Sequence, residues 1–157
     1  MPKKIDNQRL FAYGITSDNE IMDNGEYRFR LFGEDGSGYI RTVTENTKGW
    51  QNSHYHKTIR ELYIVQKNRM IFVKLINNEV KFSLVKENDY VLTKPFISHN
   101  IFLPENTIIH TVKFGKILPN DWYPSEKLDR LTRFNTNLNI NKLLNLDSYK
   151  KKYNTAF

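Results

Sequence analysis

Between Glu26 and Phe114 the sequence breaks into short apolar or alternating runs separated by turn residues, and this pattern admits little besides an antiparallel β fold. Tyr27, Phe29 and Leu31 alternate with Arg28 and Arg30, as in a half-buried strand, and the stretch from Gly33 to Gly38 has the composition of a hairpin turn. Tyr39 to Thr44 resumes the alternation. Further strands are predicted over Glu61 to Gln66, Arg69 to Leu75, Val80 to Val85, Tyr90 to Thr93, Ile97 to Leu103 and Thr107 to Phe114. Lys67-Asn68, Asn77-Asn78, Glu87-Asn88-Asp89 and Pro104-Glu105-Asn106 intervene, with Asn where a left-handed residue is tolerated. About eight short strands joined by tight turns imply a sandwich or barrel.

No helical period is evident before Pro119. Beyond it, Pro124 suits a first helical turn, with Leu128, Leu131 and Phe134 on one face. Asn135 to Asn141 reads as a loop and Lys142 to Tyr153 as a second, weaker helix. The expected organisation is an N-terminal arm over 1–25, a β-barrel over 26–116 and a helical extension over 117–157.

The 157 residues suffice for one domain with its own core. Cysteine is absent, which excludes disulfides, thiolate metal sites and cysteine nucleophiles. The net charge of +7 invites a nucleic-acid reading, but Lys and Arg are scattered among acids, and the one tight cluster is Lys150-Lys151-Lys152. Nucleic-acid binding is therefore not expected, whereas an anionic small molecule suits the charge. The basic start, Met1 to Lys4, is not followed by an apolar segment, and no run is long enough to cross a bilayer. The expectation is a cytoplasmic protein.

Four histidines are present, His54, His56, His99 and His110. His54 and His56 are two residues apart, so in extended backbone both imidazoles leave on one face. Glu61 follows in the next strand and would join them around a metal ion. His99 shares strand parity with Ile97, Ile101 and Leu103, and His110 with Ile108, Val112 and Phe114. Both are therefore expected to point inward. A buried imidazole cluster needs partners for its nitrogens. A metal supplies one answer, and metal-free acid–base chemistry by the same residues another.

At these residues the sequence resembles the cupin superfamily. Gly49, His54-Tyr55-His56 and Glu61 follow the spacing of the first cupin motif, with Asn68 in its final Gly place. Asn88-Asp89 leading through Pro95 to His99 resembles the second, with Asn88 and Phe96 where Gly is usual and Leu103 where Asn is usual. The resemblance implies a double-stranded β-helix, or jelly-roll, barrel holding a divalent ion (Fe, Mn, Ni or Zn) through His54, His56, Glu61 and His99. His110 matches no ligand position and is assigned to acid–base work in the cavity, with Tyr63 as a hydrogen-bond donor there. The His-Tyr-His-Lys run is also similar to that of small cupin sugar-nucleotide isomerases and epimerases.

The expected activity is metal-dependent, isomerase- or epimerase-type proton transfer on a carbohydrate-like or anionic substrate. Iron-dependent dioxygenation is one alternative, and a non-catalytic metal-dependent ligand-binding module is another. Homodimer formation through a barrel face or the N-terminal arm is expected from the same resemblance.

Overall fold

The computed structural model describes residues 6–116 and 118–146. A short helix α1 (Asn7–Ala12) precedes β1 (Ile15–Ile21), β2 (Tyr27–Gly33) and β3 (Gly38–Thr44). Two two-residue strands follow, β4 (Gly49–Trp50) and β5 (His54–Tyr55). The long strands β6 (Ile59–Lys67), β7 (Arg69–Ile76) and β8 (Glu79–Lys86) come next, then β9 (Tyr90–Leu92), β10 (Ser98–Leu103), β11 (Thr107–Gly115) and β12 (Tyr123–Pro124). Helices α2 (Glu126–Leu131) and α3 (Ile140–Leu143) complete the described chain.

All strand pairs are antiparallel and form two sheets. The first runs β1-β2-β3-β11-β6-β9, and the second β12-β5-β10-β7-β8 with β4 also on β10. The fold is all-β and jelly-roll in type. Hydrogen bonding leaves it as two facing sheets among the described residues, where the sequence suggested a closed barrel.

The sheets meet over a core drawn from both. Tyr63, Val65 and Ile109 of the first pack with Met70, Phe72 and Leu103 of the second. Each fully buried side chain of this kind contributes roughly 1.5–3 kcal/mol of hydrophobic stabilisation, which outweighs the cost of ordering it. On the far side of the second sheet, Ile71, Leu84 and Phe102 are covered by Trp50, Phe82 and the α3 residues Ile140 and Leu143.

The predicted turns are present, and asparagine makes them. Asn68, Asn77, Asn78, Asn88 and Asn106 all have positive φ, between 50° and 69°. Phe96 does too, at 64°, where its N–H donates to the His56 carbonyl at 2.7 Å.

The N-terminal segment is more ordered than an arm. Asp6 caps α1 through the N–H groups of Gln8 and Arg9, and β1 pairs along its length with β2. Arg30 on β2 bridges Asp18 and Glu20 of β1 at 2.9 and 2.5 Å. Polar β1 is thereby an edge strand held by ladder bonds and charge, without an apolar face. Helix α2 is also shorter than its apolar spacing suggested. Leu128 is fully buried, whereas Phe134 lies beyond the helix and is 63% exposed. Helix α3 starts inside the expected loop, capped by Asn139. The remainder of the expected second helix from 147 onward, and Lys150 to Lys152, lie outside the described residues.

Candidate metal centre

The register of the second sheet sets His99 directly opposite His54, and the chain leaving β5 presents His56 beside them. Each imidazole is fixed by a backbone carbonyl. Nδ1 of His54 donates to Asn52 O at 3.0 Å and Nδ1 of His99 to Ile97 O at 3.0 Å, while Nδ1 of His56 donates to Asp121 O. A carbonyl only accepts, so the Nδ1 proton is assigned in all three rings. Every Nε2 is left to face the same point.

That point is a carboxylate oxygen. Oε2 of Glu61 lies 3.3 Å from Nε2 of His54, 3.4 Å from that of His56 and 2.8 Å from that of His99. The Tyr63 hydroxyl donates to the same oxygen at 2.9 Å, and the Glu61 N–H donates to the Thr93 hydroxyl. Burial alone raises the Glu61 pKa, but contacts with His54, His56 and His99 and the charge of Lys113 bring it well below the usual carboxylate range. Burial, reinforced by repulsion from His99, lowers the His54 pKa despite the opposing pull of Glu61. His54 is thus neutral at pH 7.

The outcome is three imidazole Nε2 atoms gathered on one buried carboxylate oxygen, a point that shared protons or a cation would hold together. Nε2 of His56 is buried with no hydrogen-bond partner. Donor atoms of His54, Glu61 and His99 lie within 4.8 Å of one another, close enough to share one ion. Imidazole nitrogen and carboxylate oxygen are the donors that first-row divalent ions take, so the residues fit a divalent metal. His56 lies outside that group of three, with its Nε2 3.4 Å from the same carboxylate oxygen. Tyr63, whose pKa is raised well above its ordinary value by burial and by Glu61, keeps its proton and orients the carboxylate.

A strap formed after β11 holds this arrangement from outside. Asp121 accepts from the N–H groups of Lys57, Thr58 and Ile59 at 2.7, 3.0 and 2.9 Å, and from the Thr58 hydroxyl at 2.8 Å. Burial by itself raises the Asp121 pKa, and these donors overcome it and bring the pKa down to about 2. Its own carbonyl fixes His56. Next in the strap, Trp122 stacks on His54 with ring centroids 5.4 Å apart, and β12 pairs with β5. Ser53 is tied to the Asp129 carboxylate at 2.9 Å. Sequence reasoning missed Asp121, whose partners are more than sixty positions away and meet it partly through the main chain.

His54, Glu61 and Tyr63 line a cavity of about 410 Å³ between the sheets, with Thr111 and Lys113 of β11 on its wall and Trp122 at its mouth. Lys113 Nζ lies 3.3 Å from Glu61 Oε1. His110 does not join them, which corrects the inward orientation expected of it. Across the first sheet Lys113 pairs with Glu61 and Thr111 with Tyr63, so the odd-numbered residues of β11 face the site. His110 pairs with Ile64 on the opposite face, where its ring contacts the Tyr39 hydroxyl at 2.8 Å and Gln66 Oε1 at 2.6 Å. Burial and the nearby Arg41 lower its pKa.

No known protein-family model matches this sequence, and no curated protein matches it significantly. Solved structures do share its fold. Oxalate decarboxylase from Bacillus subtilis at pH 4.6 superposes with a TM-score of 0.57 at 13% identity, over 86% of this chain and 38% of that one. A structure of the same enzyme from work on its Mn(II) centres gives a TM-score of 0.54 at 12% identity, with the same coverage. The chain therefore spans well under half the length of these neighbours. Likeness at this identity establishes the cupin-type fold and leaves the chemistry to the residues.

Proposed function

We propose that this protein is a metal-dependent enzyme acting on a small, oxygen-rich substrate by isomerase- or epimerase-type proton transfer. The observation that carries the reading is the convergence of three Nε2 atoms, with Nδ1 committed elsewhere, on the buried Glu61 carboxylate. Bound there, a divalent ion would act as a Lewis acid, polarising a substrate oxygen next to the carbon that exchanges its proton. His54, His56, Glu61 and His99 would hold the ion, and Tyr63 would fix the carboxylate that faces it. Facing sheets and the Trp122 indole restrict bulk water around the site. His110, on the outer face, has no part in this step, and the carbon-bound proton would pass to and return from water within the cavity.

A second reading draws on the fold. The Bacillus subtilis enzyme sharing it is an oxalate decarboxylase with Mn(II) centres, and the same four donors leave coordination positions open for oxygen-dependent chemistry. Metal content separates these readings from a metal-free one. Plasma mass spectrometry of protein purified without chelators is expected to find about one equivalent of a divalent metal in the wild type, and little in His56→Ala. Absence from the wild type, even after refolding with divalent ions, would sink the assignment. Incubation of candidate sugars and hydroxy acids in D₂O under argon then divides the two chemistries. Deuterium entering a carbon-bound position without oxygen supports proton transfer, and turnover only in air supports the second reading.

A further inference from the structure

We infer that the cavity binds its substrate through a carboxylate, and that Lys113 is the residue that selects for it. This rests on the metal reading above and names the substrate class of the same site. Three basic side chains line the cavity, Arg28, Lys113 and Arg133, and they differ in what balances them. Arg28 gives both Nε and Nη2 to Oε2 of Glu26, at 3.0 and 2.6 Å. Arg133 lies 3.7 Å from Asp129 and also donates to Asn52. Neither acid faces the metal position, so both arginines keep their partners whether or not an ion is bound.

Lys113 is different. The acid it meets is Glu61, at 3.3 Å, the carboxylate whose other oxygen faces the three imidazoles. A divalent ion among those donors claims the Glu61 charge. Together with the Lys113 ammonium it then leaves an excess of two positive charges: +2 from the ion and +1 from Lys113, less 1 from Glu61. The Lys113 side chain is 20% exposed, too enclosed for water to neutralise this excess cheaply. Asp23, the remaining acid on the lining besides Glu61, sits at the exposed rim. Lys113 Nζ meets Oε1 of the same carboxylate whose Oε2 faces the imidazoles, so an anion held beside the ion would find an ammonium for its charge. A carboxylate beside a hydroxyl or carbonyl group meets both demands, with oxygens for the ion and a charge for the lysine. A neutral sugar meets only the first.

Manganese-loaded wild type, Lys113→Met and Lys113→Gln are titrated with glycolate and with ethylene glycol, its uncharged analogue, while the Mn(II) resonance is followed. Mn(II) affinity is measured separately by chelator competition. Wild type is expected to bind glycolate at least tenfold more tightly than ethylene glycol, and both variants to lose at least tenfold in glycolate affinity. Their Mn(II) affinity should stay equal or rise, because a like charge beside the ion has gone. That opposite movement separates anion selection from a structural role, which would weaken both together. Unchanged glycolate binding in the variants, parallel loss of both affinities, or a manganese-loaded wild type indifferent to the carboxylate each overturns the inference and leaves the metal site standing. A wild type that holds no Mn(II) overturns both.

Discussion

The two faces of the β6–β11 pair divide eighteen positions between them and do opposite work. Inward, Glu61 stands beside Lys113 and Tyr63 beside Thr111; outward, Leu62 stands beside Val112 and Ile64 beside His110. At this end of the sheet the inner face is the more polar of the two. Strands usually turn apolar residues to the core, because burying an unpaired polar group costs roughly 1–3 kcal/mol. Here the inner polar groups are paired with one another, so the cost is met inside the site, and the outer face is free to be apolar. A strand beside a buried site thus inverts the parity that its hydrophobic pattern suggests.

The inner face makes the largest prediction. Glu61→Ala removes the oxygen on which three imidazoles converge and leaves Lys113 without its acid. Metal affinity should fall on the order of a hundredfold or more, beyond what changes outside the ligand set usually cost. Calorimetric titration with Mn(II) would check this. Retention of wild-type affinity would mean that the inner face is an ordinary hydrogen-bonded core.

The same contrast shows what the sequence could disclose. The convergence of His54, His56 and Glu61 was legible because their spacing is local: the two histidines are two positions apart in extended chain, and Glu61 follows across one turn. His99 was legible because its apolar companions do face inward, as Ile101 and Leu103 show at 1% and 0% exposure. His110 has equally apolar companions in Ile108 and Val112, yet these face outward, because Thr107, Thr111 and Lys113 are needed inside. Periodicity reports which residues share a face and leaves open which face is the core. The asparagine turns were legible since few other residues accept positive φ. Strand β1 was not, because Asp18 and Glu20 hold it by charge opposite Arg30 and no apolar period marks it. Asp121 was hidden for a third reason, since its main effect passes through backbone groups that any sequence possesses.

Asp121 sharpens the comparison from outside the sheet, since it supports the inner face alone. Asp121→Ala removes the two carboxylate oxygens that accept from three N–H groups and one hydroxyl at the 57–59 turn. Hydrogen bonds to a charged group are worth about 1.5–3 kcal/mol, and water will recover part of this set, so a loss of about 2–3 kcal/mol is expected in denaturant unfolding. Metal affinity should fall about tenfold as His56 loses its fixed carbonyl. The pH dependence follows from the direction of the shift. The folded pKa of about 2 lies below the ordinary value of 3.8, so the contribution is complete above pH 4 and is lost as pH falls toward 2. Wild type should lose stability relative to Asp121→Ala across that window. Parallel curves would show that the carboxylate is not what holds the turn.

The smallest effect belongs to the outer face, and it is the one that would break the comparison. His110→Val places a β-branched residue among Ile108, Val112 and Ile64 while removing the contacts to Tyr39 and Gln66. Those contacts are partly exposed, so the net cost is expected at about 1 kcal/mol or less. Metal content and any turnover should match the wild type, because no atom of His110 reaches the cavity through the sheet. A variant that folds with an unchanged unfolding midpoint but loses activity would place His110 back in the chemistry. The two faces of β11 would then be coupled, and the division of labour between them would not hold.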